Sequence, residues 1–168
     1  MRALVLLLSL LIAGCAGMPA PPVPSAAQLA LLKDRLFAHI EEERLRLNSE
    51  AKPLRPDPEL AAAAQDHSDA MARRLSFDAG SDANAAIQRL VADPSFGGYV
   101  GENSAMEYFD PSAAIDPDAL ARGFVGIWLN SPDHTSNIAF APFDRSGIGV
   151  TVTGNRIYVS QVFAAELG

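Results

Sequence analysis

The chain cannot cross-link itself. It has one cysteine in 168 residues, so no internal disulfide can form and the folded state must draw its stability from buried apolar side chains. Positive charge is scarce as well, with 13 Lys and Arg against 20 Asp and Glu. Nucleic acid and anionic headgroups are held by clusters of Lys and Arg. The sequence has no such stripe and no aromatic platform for stacked bases, so no nucleic-acid partner is expected. Long hydrophobic runs are absent too. The one apolar run, Ala3 to Ile12 interrupted by Ser9, falls short of the ~20 residues a membrane-crossing helix needs. Neither a Gly-x-Ser-x-Gly nucleophile elbow nor a His-Glu-x-x-His zinc helix occurs. No internal repeat is visible.

What the N-terminus does contain is an export pattern. Arg2 supplies a positive charge, the short apolar run follows, and Ala13 and Gly14 are small; this is the layout of a cleaved signal. Leu11-Ile12-Ala13-Gly14-Cys15 resembles the lipobox of bacterial lipoproteins, which implies cleavage before Cys15 and a lipid on its sulfur. The other reading is an ordinary signal peptide with Cys15 left as a spare thiol. Gly17, Pro19, Pro21, Pro22 and Pro24 then form a stiff, extended spacer. The expected organisation is a signal peptide over residues 1–14, a lipidated cysteine and tether over 15–25, and one domain over 26–168. In bacterial lipoproteins an aspartate after the cysteine resembles an inner-membrane retention signal. Here that residue is Ala16, which implies the outer membrane if the source is Gram-negative. Without residues 1–14 the chain keeps 12 basic and all 20 acidic side chains, a formal charge of −8.

The domain is clearly punctuated. Ser25 and Gln28 have capping-box spacing, and Leu29, Leu32, Leu36, Ile40 and Leu47 follow at helical intervals. On that helix Glu41-Glu42-Glu43-Arg44 is expected to form a solvated face. Asp57-Pro58 places a capping carboxylate before a proline at the first helical position. The helix to about Leu75 should place Leu60, Ala63, Ala64, His67 and Met71 on one face. Asp116-Pro117 repeats the signal for a helix through Trp128, with Leu120, Phe124, Ile127 and Trp128 inward. Ser131-Pro132 repeats it for a short helix with His134 in its first turn. Strands are expected at Tyr99–Tyr108, Arg145–Thr153 and Arg156–Ala164, the last two joined by a tight turn at Gly154-Asn155. The fold class predicted is α+β, a three-layer α-β-α sandwich around a small, largely antiparallel sheet.

Three motifs place polar groups in apolar or tightly turned surroundings: His67-Ser68-Asp69-Ala70-Met71, Gly101-Glu102-Asn103, and the block from Trp128 to Ile138. Burying such groups unpaired costs roughly 1–3 kcal/mol each, so one shared cleft holding His67, Glu102 and His134 is expected. For His67 the competing reading is a core-edge histidine whose ring is satisfied by a carbonyl or a neighbouring carboxylate; a Glu102 partner would raise its pKa. His134, near the positive end of its helix dipole, should stay neutral. The plainer alternative makes it a helix-terminus residue hydrogen-bonded to Glu102. Asp69 and Asp133 are expected to be surface charges, and Ser131 a helix cap.

These motifs, with Ile40 to Leu47, Pro53-Leu54, Asp57-Pro58-Glu59-Leu60, Gly147-Ile148-Gly149-Val150 and Ser160-Gln161-Val162-Phe163-Ala164, give the chain its likeness to a known family. From Leu36 to Ala164 it resembles the bacterial branch of the CAP superfamily of cysteine-rich secretory proteins, antigen 5 and pathogenesis-related proteins. The resemblance implies the α-β-α sandwich. It also implies a central cavity with two histidines and two acidic residues, which in some members hold a divalent metal. Glu102 matches the glutamate of the Gly-Glu-Asn motif and His134 the histidine of the Trp-x-x-Ser-Pro-x-His block. Asp78 stands where the family has its first histidine, and Asn130 and Ser131 where eukaryotic members have the second acid. The metal ligands implied are thus His134 and Glu102, for zinc, calcium or magnesium, with Asp78 a further cleft residue.

Two functions compete. One is a non-enzymatic binding module of the bacterial cell envelope, taking a lipid, a small molecule or a cell-wall component. The alternative is a metal-assisted, peptidase-like hydrolase with His134 as base and Glu102 as orienter. One histidine and one glutamate fall short of the three protein ligands of catalytic zinc, which favours the first.

Overall fold

In a computed structural model, residues 23–75, 85–92 and 96–166 are described. Five helices and four strands lie among them: α1 (Ala26–Leu47), β1 (Arg55–Pro56), α2 (Pro58–Arg74), α3 (Ala85–Ala92), β2 (Gly98–Tyr108), α4 (Pro117–Leu129), α5 (Pro132–Ala139), β3 (Arg145–Thr153) and β4 (Arg156–Glu166). The caps act as their chemistry dictates. Ser25 and Gln28 close a reciprocal capping box on α1. Asp57 accepts from Glu59 and Leu60 N–H on α2, and Asp116 from Asp118 and Ala119 N–H on α4. Each proline at the helix start gives up only an N–H that the helix does not use.

The sheet runs β1-β3-β4-β2. β3 pairs with β4 and β4 with β2, both antiparallel, while two-residue β1 lies parallel to β3. β4 is central and buried along nearly its whole length. Its alternating side chains sort the layers. Ile157, Val159, Phe163 and Ala165 pack with Leu32, Leu36 and Ile40 of α1 and Phe124, Val125 and Trp128 of α4. On the opposite face Tyr158 packs with Met71 and Ala72, and Val162 and Ala164 with Leu60 and Ala64, all from α2. Burying each Val, Leu, Ile, Met or Phe side chain among them contributes roughly 1.5–3 kcal/mol. The result is an α-β-α sandwich.

Gly147 and Gly149 set the spacing of the α2 layer. A Cβ at Gly147 would lie 2.0 Å from Ala61 N, and one at Gly149 2.2 Å from Ala64 C. Helix backbone therefore rests directly on strand backbone, which no side chain permits. Gly154 takes the left-handed conformation (φ +60°) that turns β3 into β4, as glycine does without strain.

Several expectations need correction. Arg44 is not on a solvated face: it is 1% exposed. Its guanidinium donates to the carbonyls of Ile138 (2.7 Å), Phe140 (3.4 Å), Lys52 (2.9 Å) and Phe143 (3.0 Å). A buried cation survives here because backbone oxygens replace its water. Ile127, expected inward, is 38% exposed, and Ala121 and Val125 take the buried positions on α4. Ala63 is only partly buried, with Ser68 and Ala72 completing the inner face of α2. Ser131 is the N-cap of α5 as expected, but its side chain makes no cap bond. Asp69 is no free surface charge, since it accepts from Gln65 Nε2 at 3.1 Å and from the Thr151 hydroxyl. The helix α3 and the short strand β1 carried no sequence expectation.

Candidate functional site

The polar groups gather around β2, an edge strand of the sheet. Period-2 alternation puts Glu102, Ser104 and Met106 on the face toward α2, and register pairs Ser104 with Ser160 and Glu102 with Val162. Three donors converge on one oxygen of the Glu102 carboxylate: His67 Nδ1, Ser160 Oγ at 2.8 Å and Ser104 Oγ at 3.1 Å. Both hydroxyls also flank the imidazole, at 3.4 and 3.5 Å from Nδ1.

His67 is 2% exposed. Burial pushes its pKa below the ordinary histidine value, whereas a carboxylate neighbour by itself would raise it. Burial prevails, because the imidazolium would lose its hydration and gain only one partner. The pair is thus a neutral imidazole whose Nδ1–H donates to Glu102, and the expected upward shift is corrected. With Nδ1 protonated, Nε2 carries the lone pair, and it is buried without a partner among the described residues.

His134 enters from α5. It makes no hydrogen bond to Glu102 among the described residues; the link between the two segments runs through amides. Asn103 Nδ2 donates to the His134 carbonyl (3.1 Å). Asn137 Nδ2 donates to the Glu102 carbonyl and to Asn103 Oδ1, both at 2.9 Å. Gly101 makes room for this contact: a Cβ there would lie 2.8 Å from the Phe143 ring and 2.9 Å from Asn137 Oδ1. The His134 pKa is pushed down chiefly by burial, against a weaker upward pull from Asp133. The neutral form expected from the helix dipole therefore has desolvation as its cause. Its Nδ1 is buried and unpartnered among the described residues.

Next to His134 lies a cavity of about 270 Å³, lined by Ser104, Ala105, Met106, Ile127, Ser131 and His134. Ser104 joins the two halves of the site, since its hydroxyl touches the His67–Glu102 pair and the residue lines the His134 cavity. Ile127 is exposed because it forms a wall of that cavity. Ser131 lines it as well.

Sequence reasoning named His67, Glu102 and His134 and missed Ser104, Ser160, Met106 and Ile127. The signal for Ser104 was present, two residues from Glu102 on the same strand face. Ser160 needed the β2–β4 register, which no local pattern supplies. Asp78 and Cys15 lie outside the described residues. Among those described, no three His, Cys, Asp or Glu side chains converge to hold a metal ion. No step through a metal is derived for this site.

The fold is an α-β-α sandwich with the Gly-Glu-Asn strand joined to α5 through Asn137. Residues 43–163 match the CAP family, described as the cysteine-rich secretory protein family. The chain belongs to that family. No curated protein matches it by sequence. Among solved structures it is similar to an outer surface protein of Borrelia burgdorferi, with TM-score 0.62 and 20% identity over 86% of this chain and 97% of that one. It is similar to a cysteine-rich secretory protein of Staphylococcus aureus, with TM-score 0.59 and 19% identity over 85% of this chain and 41% of that one. It is also similar to an extracellular SCP-domain protein of Bacillus anthracis, with TM-score 0.59 and 23% identity over 86% of this chain and 45% of that one. The chain spans less than half the length of the last two. At these identities the likeness is one of fold.

Proposed function

We propose that this protein is a lipid-anchored, extracytoplasmic binding module of the bacterial cell envelope, and that the cavity beside His134 is its binding site. The observation that carries the reading is a mostly apolar cavity beside the Gly-Glu-Asn junction, with His134, Ser131 and Ser104 as the polar residues of its lining. The ligand that fits has an apolar body against Met106, Ile127 and Ala105 and a polar end toward His134 and Ser131.

Envelope placement is supported by the signal and lipobox pattern ending at Cys15 and by the surface or extracellular character of the bacterial proteins of like fold. No helix among the described residues is long and apolar enough to cross a membrane; the anchor in this reading is the lipid on Cys15. The hydrolase alternative finds less support, since His134 and Glu102 make no hydrogen bond to each other among the described residues and the carboxylate is already engaged by His67 and two serines.

The test is co-sedimentation of the protein with purified peptidoglycan sacculi and with phosphatidylethanolamine–phosphatidylglycerol vesicles, beside His134→Ala. Binding to one of the two that falls about tenfold in the variant, a loss of ~1.4 kcal/mol, supports the reading. Equal binding by both proteins removes the cavity from it. Anchorage is checked separately: alkyne-palmitate should label the expressed protein and fail to label Cys15→Ser.

A further inference from the structure

The cavity beside His134 is a groove along a free edge of the sheet. Side chains alternate between the two faces of a strand, yet the successive residues Ser104, Ala105 and Met106 of β2 all line that one cavity. Only the strand's edge is common to all three. The space therefore lies alongside the β2 backbone, with Ile127 of α4 and Ser131 and His134 at the start of α5 as its other walls.

The backbone groups of alternate residues face opposite edges of a strand, and three bonds fix which residues of β2 face outward. The Glu102 carbonyl accepts from Asn137 Nδ2 of α5 at 2.9 Å. Phe109 N–H, just past the strand, donates to the Asn155 carbonyl in the β3–β4 turn (3.0 Å). The Ala164 carbonyl is turned to Asp144 N–H (3.2 Å) on the β3 side. Odd-numbered β4 residues thus pair with their odd-numbered register partners on β2. Ser104 and Met106, like Glu102, present N–H and C=O away from β4. None of these four groups has a partner among the described residues.

Side-chain carboxamides stand in for a further strand at two edge positions. Asn137 covers β2 at Glu102. On β3 the Gln65 carboxamide covers Val150, donating to its carbonyl at 3.1 Å and accepting from its N–H at 3.2 Å. At Ser104 and Met106 no such cover is present among the described residues. Nor does β2 carry the devices that keep an edge strand from pairing. Gly98–Tyr108 contains no proline or lysine, and its ladder to β4 runs the full 11 residues without a bulge.

The occupant is set by what this edge offers. No Asp, Glu, Lys or Arg lines the cavity, so a charged group would find no counter-ion there. Two N–H donors and two carbonyl acceptors recur on alternate residues, about 6.8 Å apart along the strand. Another extended backbone reproduces that order and spacing; neither an acyl chain nor a glycan does. We propose that the cavity receives an extended, uncharged peptide segment, which adds to the β2 edge at Ser104 and Met106 and lays an apolar side chain against Ile127. This rests on the reading of the His134 cavity as the binding site and names the ligand as polypeptide.

The probe is N-acetyl-Thr-Val-Thr-Val-Thr amide, in which period-2 alternation puts both valines on one face. Its binding to the full-length protein is followed by calorimetry and amide hydrogen exchange. In an added strand only every second peptide N–H meets β2. N-methylating one alternate set of amides should therefore weaken binding about tenfold, the scale of one lost hydrogen bond, and N-methylating the other set should leave it unchanged. Ser104 and Met106 N–H should exchange more slowly with peptide bound, while Ala105 N–H, already on the β4 side, should not change. Absence of binding, equal loss from both N-methylated sets, or unchanged exchange at Ser104 and Met106 would each overturn the inference. His134-dependent co-sedimentation with sacculi or vesicles in that case would keep the cavity as a site for a ligand other than peptide. Protection of these two amides that rises with protein concentration alone would assign the edge to a second copy and likewise overturn it. Peptide binding that survives Ile127→Trp would tell against both readings.

Discussion

Asn137 holds the two halves of the site together, donating from α5 to the backbone carbonyl of Glu102 on β2 at 2.9 Å and to Asn103 Oδ1 at the same distance. One side-chain amide thus joins the Gly-Glu-Asn motif to the helix that carries His134. The contact exists only because Gly101, next to Glu102, has no Cβ.

Removing that amide should loosen the junction. Asn137→Leu leaves the Glu102 carbonyl and Asn103 Oδ1 without a donor, at a cost of about 1–3 kcal/mol for a buried group. Gly101→Ala should destabilise comparably, because the new methyl meets the Phe143 ring. For a domain of this size each is a fall of several degrees in Tm, read by thermal unfolding. An unchanged Tm in both would mean the junction is not structural.

Arg44 is the second fixed point. Arg44→Met deprives four carbonyls of a charged donor and should cost about 3 kcal/mol or more, with α5 and the segment to β3 losing hydrogen-exchange protection first. Arg46, two residues on, pairs with Glu43 at the surface. Arg46→Met should leave Tm where it is. Equal effects from the two substitutions would show that the buried guanidinium has no special role.

The two lowered histidine pKa values fix the sign of a pH effect. His67 and His134 are held below the ordinary value near 6.5, chiefly by burial. As pH falls through 6.5 the unfolded chain takes up protons on these rings before the folded one does. Stability contributed by the neutral rings is therefore present above that value and lost below it. Denaturant unfolding from pH 7.5 to 5 should show falling stability, and the fall should be shallower in His67→Gln. A slope identical in the variant would mean His67 titrates normally.

Metal should matter little to the described residues, since Glu102 is occupied by His67, Ser104 and Ser160 and no third ligand stands near His134. EDTA, zinc, calcium and magnesium should leave Tm unchanged. A site filled at a hundred times its Kd would add about 2.7 kcal/mol, an effect easily seen. An increase with one ion that is lost in His134→Ala would indicate that a residue such as Asp78 completes a ligand set.

Most of the architecture was legible because local chemistry announced it. Asx-Pro starts, the Ser25 capping box, period-2 strands and Gly154 each act within a few residues of themselves. His67, Glu102 and His134 were legible as polar residues in apolar settings. Arg44 was not, because its four acceptors lie 8 to 99 residues away and a Glu-Glu-Glu-Arg run reads as a wet face until those carbonyls are seen. Ile127 was misread for a related reason: helical periodicity marks it apolar, but only the placement of β2 and α5 makes its surroundings a cavity. The His67 pKa was misjudged because a carboxylate partner is visible in sequence and depth of burial is not.

The central claim is that the His134 cavity is where this protein binds its ligand, and filling that cavity tests it most directly. Ile127 already forms a partly exposed wall, so Ile127→Trp should occlude the space with little change in Tm. Co-sedimentation with peptidoglycan sacculi or with phospholipid vesicles, whichever the wild type binds, should then be lost while the fold is kept. Undiminished binding by a stably folded Ile127→Trp would contradict the account.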